Sequence, residues 1–383
     1  MKRGMGLLVC LLATVILAWQ PAPAQAKDKG DIVIGMLLAM SGQGISYGKW
    51  MSQGALLAAE EINKAGGIDG RKIRIEIGDH KSGQAKAGTE EMSRLVNVYH
   101  TPAVLSSFSA PTLAAQAIAV ERDVVIINGG GWSPKLINKK FLWNTRLTGD
   151  ATAKAILKVA YDDGARKICM IYRNDPSGID TADAARAYWK GKGGKVLCEE
   201  KYDLAATNFS AQMAKIRLSR PDALITFGYS KTNGIIIKQA RDFGVSVPLY
   251  GIEYLPENAE VAGKAIEGYK FAVDQFDVNS KLPETAKFVK AYRAKYHEDP
   301  EFYGANYYEA TYLLADCMKA LAKEGKPITG ANIDAKIRQI RTFPSVYGGK
   351  MTLNLDGTVK KPLAKRCSTP SVWKPGWNVP DAV

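Results

Sequence analysis

The chain has 383 residues, 46% hydrophobic and 23% charged, with a formal net charge of +14. That composition excludes a disordered or collagen-like chain, and the length exceeds the roughly 250–300 residues one core usually holds, so two lobes are expected. The 52 Lys and Arg are scattered without a basic run, which argues for a solvated surface and against a nucleic-acid partner.

Lys2 and Arg3 precede an apolar run from Leu7 to Trp19, then Pro21-Ala22-Pro23 and the small triplet Ala24-Gln25-Ala26. A charged start, an apolar core and an A-x-A end predict a secretory signal peptide over residues 1–26, cleaved after Ala26. The run falls short of the roughly 20 residues a membrane span needs. Cys10 lies inside it behind Val9, which argues against a lipid anchor. The expected location is the periplasm.

Cys169, Cys198, Cys317 and Cys367 remain after processing, none in C-x-x-C spacing, so no zinc or thioredoxin-like site is expected. Export permits disulfides, but Cys169 and Cys198 sit in apolar strand-like runs and also fit as core thiols. His80, His100 and His297 are far apart and lack paired-ligand spacing. No metal and no cofactor is implied.

In chain order, Ile32–Leu38 is a continuous apolar run, as for a strand covered on both faces. Ala55, Ala58, Ala59 and Ile62 recur at helical spacing between Lys49 and Asn63. Ile73, Ile75 and Ile77 alternate as in a strand; Met92, Leu95 and Val96 mark a helix. Strand 103–105, helix 112–121 and strand 124–127 follow. The alternation restarts after residues 142–148, with strands at 168–172, 195–202, 223–227, 248–250 and 269–273. Helices are predicted between them at 181–190, 210–218 and 233–243. Helices at 286–296, 307–323 and 331–341 come next, then strand, Asp356-Gly357 turn and strand. Repeated β-α-β order predicts an α/β fold with parallel sheets flanked by helices, whose ligands bind at the carboxyl edges of the strands.

Two glycine motifs invite a catalytic reading. Gly42-Gln43-Gly44 precedes Gly48-Lys49, but five residues separate Gly42 from Gly48 and Trp50 follows the lysine, so the Walker pattern fails. Tyr47 stands where a dinucleotide loop needs its third glycine. Asn128-Gly129-Gly130-Gly131-Trp132 resembles a hydrolase oxyanion loop, but the chain holds no G-x-S-x-G nucleophile. Its backbone N–H groups suit a carboxylate instead. Glu253 follows a strand end, where an acid reads equally as a solvated loop residue or as the partner of a ligand ammonium.

The segment Asn63-Lys64-Ala65-Gly66-Gly67-Ile68-Asp69-Gly70-Arg71-Lys72-Ile73 resembles the helix-to-strand turn of the leucine/isoleucine/valine-type binding proteins of bacterial ABC importers. Ala39-Met40-Ser41-Gly42…Tyr47-Gly48, Phe227-Gly228-Tyr229, Tyr250-Gly251-Ile252-Glu253 and Tyr347-Gly348-Gly349…Asp356-Gly357 are similarly close. The resemblance implies two Rossmann-like lobes joined by three hinge crossovers, near 142–148, 274–277 and 343–347. Residues 27–146 and 275–345 then form lobe 1, and 147–274 and 346–383 form lobe 2. It places the ligand-covering aromatic on Tyr47 and the carboxylate-binding serine on Ser109, with Ser107 the alternative. The loop contacting both ends of the ligand falls on Gly130 to Trp132, the closing tyrosine on Tyr229 and the ammonium partner on Glu253.

Trp132 stands where many relatives have threonine, a loss that Ser133 would make good, and Ser177 replaces an aromatic residue. The small first-lobe disulfide of some relatives is absent, with Ser82 and Phe108 in that region. The resemblance implies a monomeric, non-catalytic receptor. It captures an amino acid or related small carboxylate and delivers it to a membrane permease. A sensor subunit of the same fold is the alternative, and a hydrolase using Gly129–Gly131 the remote one.

Overall fold

The computed structural model describes residues 30–274, 276–361 and 363–367, the last five by backbone alone. The expected leader lies outside the described residues. The first half is a five-stranded parallel sheet, built from β1 (Ile32–Leu38), β2 (Ile73–Asp79), β3 (Ala103–Ser106), β4 (Val125–Asn128) and β5 (Leu142–Asn144). Its strand order is β2-β1-β3-β4-β5. Between the strands run α1 (Ile45–Lys64), α2 (Ala85–Asn97) and α3 (Ser109–Glu121). Every residue of β1 is buried, as its unbroken apolar run requires of a strand with helices on both faces.

The second half repeats the plan. It contains α4 (Gly149–Asp162), β6 (Lys167–Arg173), α5 (Pro176–Gly191), β7 (Lys195–Tyr202), α6 (Ser210–Ser219), β8 (Ala223–Phe227), α7 (Ser230–Asp242), β9 (Leu249–Gly251), α8 (Pro256–Ala262) and β10 (Lys270–Asp274). Cys169 and Cys198 are register partners on β6 and β7 and form a disulfide rather than two core thiols, while Cys317 is free and buried.

Three helices follow, α9 (Pro283–Tyr296), α10 (Phe302–Lys323) and α11 (Gly330–Ile340). α10 lies on α1 so closely that a Cβ on Gly54 would sit 2.0 Å from the Gly304 carbonyl oxygen. A three-stranded antiparallel sheet comes next, β11 (Thr342–Pro344), β12 (Lys350–Leu353) and β13 (Val359–Lys360), with the Asp356-Gly357 turn between the last two. β14 (Leu363–Cys367) then joins the second sheet antiparallel to β10, giving the order β14-β10-β9-β8-β6-β7.

The chain therefore passes between the halves three times, from β5 to α4, from β10 to α9 and from β13 to β14. The third passage differs from the expected 343–347. Phe343 pairs in the small sheet, Ser345 Oγ donates to Glu309 of α10, and the hairpin turn is tied to the first half by Asn144 N–H donating to the Gly357 carbonyl, 2.8 Å. Lys361 at the true passage is buried; it pairs with Glu309 and donates to the Thr145 carbonyl at 3.0 Å. The first and third passages are thereby stapled together.

Candidate ligand-binding cleft

The carboxyl edges of the two parallel sheets supply the site. From the first half come Tyr47 in the opening turn of α1, the Ser106–Ser109 bend after β3 and the glycine loop after β4. From the second come Arg173 at the end of β6, Tyr229 after β8 and Glu253 after β9. Phe108 has φ +60° and ψ +143°, an unusual backbone for a bulky side chain, and its ring is pushed into the cleft.

Two adjoining spaces of about 290 and 270 Å³, open mouth included, share Tyr47, Phe108, Arg173 and Tyr229 in their walls. Of the residues the sequence singled out, Tyr47, Ser109, Gly130, Trp132, Ser177 and Tyr229 line this cleft. Ser107, Ser133 and Glu253 do not.

Each of those three is committed elsewhere. Ser107 Oγ donates to the Leu37 carbonyl at 3.1 Å and lies 2.9 Å from His80 Nε2. Ser133 does not restore the missing threonine hydroxyl, because its Oγ donates to Asp180 on α5, which also pairs with Lys135 at 2.8 Å. Glu253 is fully buried and takes three donors. Tyr47 Oη reaches Oε1 at 2.6 Å, Ser230 N–H reaches the same atom at 3.1 Å, and Tyr303 Oη reaches Oε2 at 2.9 Å. Burial raises the Glu253 pKa above the ordinary glutamate range, while the three donors act against that rise.

The glycine loop is likewise spoken for. Asn128 Oδ1 accepts from Gly131 N–H at 2.7 Å and from Gly130 N–H at 3.3 Å, and Gly129 N–H donates to the Ser106 carbonyl. Ser109 Oγ accepts from the N–H groups of Trp132 and Ser133 at 2.9 and 3.0 Å. The expected carboxylate nest is therefore spent on holding its own loop. The hydrogen of the Ser109 hydroxyl remains for an acceptor in the cleft.

Three residues that the sequence reading passed over matter here. Tyr303, on α10, brings a second hydroxyl to Glu253. Arg146, buried at the first passage, donates Nη1 to Tyr303 Oη at 2.8 Å and stacks 3.8 Å over the Trp132 ring. Burial opposes the Arg146 charge; Tyr303 and Asp274, whose Oδ2 lies 3.3 Å from Nε, more than offset it. Arg173 lines both spaces, 5.0 Å from the Tyr229 ring and 5.7 Å from that of Phe108. An arginine closing a buried strand at a carboxyl edge was a visible signal for it. Arg146 and Tyr303 gave none, since only the fold brings their passage and helix to the cleft.

Among the described residues no His, Cys, Asp or Glu cluster suits a metal ion, and no helix is long and apolar enough to cross a membrane.

The periplasmic binding-protein family model matches residues 31–364. Leu/Ile/Val-binding protein homolog 1 of Brucella suis is 29% identical over 76% of this chain and 78% of its own length. An amino acid binding protein of Pseudomonas aeruginosa is 28% identical over 84% and 85%. Among solved structures, the branched-chain amino acid transporter substrate-binding protein LivJ of Streptococcus pneumoniae, in complex with isoleucine, superposes with a TM-score of 0.77. Its identity is 25%, over 89% of this chain and all of that one. A solute-binding protein of an R. palustris ABC transporter, in complex with benzoate, has a TM-score of 0.78 at 19% identity, over 89% and 94%. The chain belongs to the periplasmic binding-protein family.

Proposed function

We propose that this chain is a monomeric periplasmic receptor that captures an amino acid or related small carboxylate between its two lobes and delivers it to the permease of an ABC importer. The observation that carries the reading is the cluster Tyr47–Glu253–Tyr303, in which two side chains of the first lobe close on an acid of the second over a cleft lined by aromatic rings. The lobes are the two sheets with their helices, swinging about the three passages. A solute touching both favours the closed arrangement by the difference between its affinities for the two states. The closed form is what a permease can tell from the empty one.

The relatives support a binding role rather than a catalytic one, since their names are those of binding proteins. Two of the related structures hold isoleucine and benzoate, which span the chemistry considered for this cleft.

A melting-temperature panel tests the proposal. The purified chain is unfolded, stripped of carried-over solute, refolded and heated with amino acids, aromatic acids and short carboxylates. A solute that binds only the native state raises the transition by mass action, about 2.7 kcal/mol of stabilisation at a hundred times Kd. A shift from at least one member is the expected result, and none from any member sinks the reading.

A further inference from the structure

Among the residues lining the two spaces, the one charged side chain is Arg173. Its Nε donates to Asp175 Oδ2 at 2.6 Å and its Nη2 pairs with the same carboxylate; no described hydrogen bond uses Nη1. Three more polar groups in the walls are unspent. Trp132 Nε1, Tyr202 Oη and Tyr229 Oη are buried without a hydrogen-bond partner. Tyr303 lies beside the first and Ser177 beside the last, but their hydroxyls donate to Glu253 and Asp175, and neither meets Trp132 Nε1 or Tyr229 Oη in hydrogen-bond geometry. An indole N–H and a guanidinium can only donate.

Acceptors stand the other way round. Asp175 is taken up by Arg173, by Ser177 Oγ and by Gly178 N–H. Glu257 accepts from Ser46 and Ser230, and Glu253 from Tyr47, Tyr303 and Ser230. None of the three acids lines either space. A buried donor left without an acceptor bears its desolvation penalty unrelieved, so this cleft rewards a solute that brings acceptors. An ammonium entering it meets the Nη1 edge of a guanidinium and no open carboxylate.

Resting on the receptor reading above, we infer that the solute is an organic acid whose carboxylate is held by Arg173 Nη1, with an apolar or aromatic body between Phe108, Trp132 and Tyr229, and that it needs no amino group. Tyr229 Oη and Trp132 Nε1, in the wall of one space with Arg173, offer the solute further donors, and the rings supply flat apolar walls. Arg173 is then the specificity-determining residue of the second lobe, and Glu253 holds the lobes together instead of reading the solute.

Calorimetric titration of the refolded chain with matched compounds decides this. The set is benzoate and benzamide, 3-phenylpropanoate and its amide, and phenylalanine and leucine. The acids are expected to bind at least about 100-fold more tightly than their neutral amides. Arg173→Gln should abolish that acid-to-amide ratio, and Arg173→Lys should restore part of it. A mere structural role for Arg173 would weaken both members of a pair alike. Should neither variant fold, the wild-type ratio together with Tyr229→Phe, expected to weaken the acids alone, carries the decision. Binding of phenylalanine or leucine with no binding of the deaminated acids overturns the inference and leaves the receptor reading intact. Failure of every compound overturns the inference too, and the receptor reading then stands or falls on the wider melting-temperature panel.

Discussion

Tyr47 and Glu253 meet across the cleft, the phenol of α1 donating at 2.6 Å to a carboxylate that follows β9. The same Ser230 N–H reaches both Tyr47 Oη at 2.7 Å and Glu253 Oε1 at 3.1 Å, so the contact is braced from the second lobe. Behind it Tyr303 passes the carboxylate on to Arg146. A buried acid so arranged is satisfied without a solute, and the closed arrangement has a polar latch of its own.

Removing one strand of that latch should open the empty protein. A hydrogen bond to a charged group is worth about 1.5–3 kcal/mol. Tyr47→Phe keeps the ring contacts with Phe108 and Tyr303 and deletes the bond to Glu253, together with the one Tyr47 Oη accepts from Ser230 N–H. Small-angle scattering of the ligand-free variant should give a larger radius of gyration than wild type. Superposable curves would mean the contact does not hold the lobes.

His80 makes the fold sensitive to acid. Its Nδ1 accepts from Gly83 N–H at 3.1 Å, which leaves the hydrogen on Nε2, 2.9 Å from Ser107 Oγ. Burial, helped by the charge of Arg173, pulls its pKa from 6.5 down to about 4. The unfolded chain thus binds a proton that the folded one refuses between those values. The stabilisation is fully present above pH 6.5 and is lost as pH falls toward 4, by about 3 kcal/mol in all. Urea unfolding of wild type should weaken over that window, and His80→Gln should flatten this part of the slope. Parallel profiles would assign the loss to other groups.

The disulfide gives a third expectation. It spans 29 residues between adjacent strands, and the chain-entropy argument assigns such a loop about 3–4 kcal/mol. Cys169→Ala with Cys198→Ala should lower stability by that order in denaturant titration. Because the strands keep their parallel ladder, affinity for solute should be unchanged. A double variant as stable as wild type would show that the bond is absent or idle in solution.

The legibility of the chain followed the range of the forces involved. β1, β7 and β8 lie at the residues their apolar runs marked, because strand pattern and turn chemistry are local. α4 escaped notice although Ala153, Ile156, Leu157 and Ala160 bury one face. Its apolar stripe is built largely of alanine and begins directly after a passage. The resemblance pointed to residues around the cleft without their bonding roles. Tyr47, Ser109, Gly130, Trp132, Ser177 and Tyr229 line the space, but what each donates or accepts depends on partners distant in sequence. Asn128 taking the loop N–H groups, and Asp180 taking Ser133, could not be read from spacing. The Cys169–Cys198 bond depends on strand register, and the third passage on where a hairpin packs.

Close helix packing supplies the last prediction. α1 and α10 form the floor under Tyr47 and Tyr303, and they approach at Gly54 and Gly304. A methyl at Gly54 would meet the Gly304 carbonyl oxygen at 2.0 Å and its carbon at 2.8 Å, backbone atoms that cannot swing aside. Alanine is the better helix former by about 1 kcal/mol, so local propensity favours Gly54→Ala. Overpacking costs about 1–3 kcal/mol and more where backbone must move, so the packing term wins. The helices must separate, and Tyr47 and Tyr303 must part with them, since each hangs from one helix of the pair. Gly54→Ala should therefore lower the melting temperature and weaken solute binding together. By contrast, Gly191→Ala on α5, where an added Cβ meets nothing, should do neither. Loss of stability with full affinity would uncouple the helix crossing from the cleft.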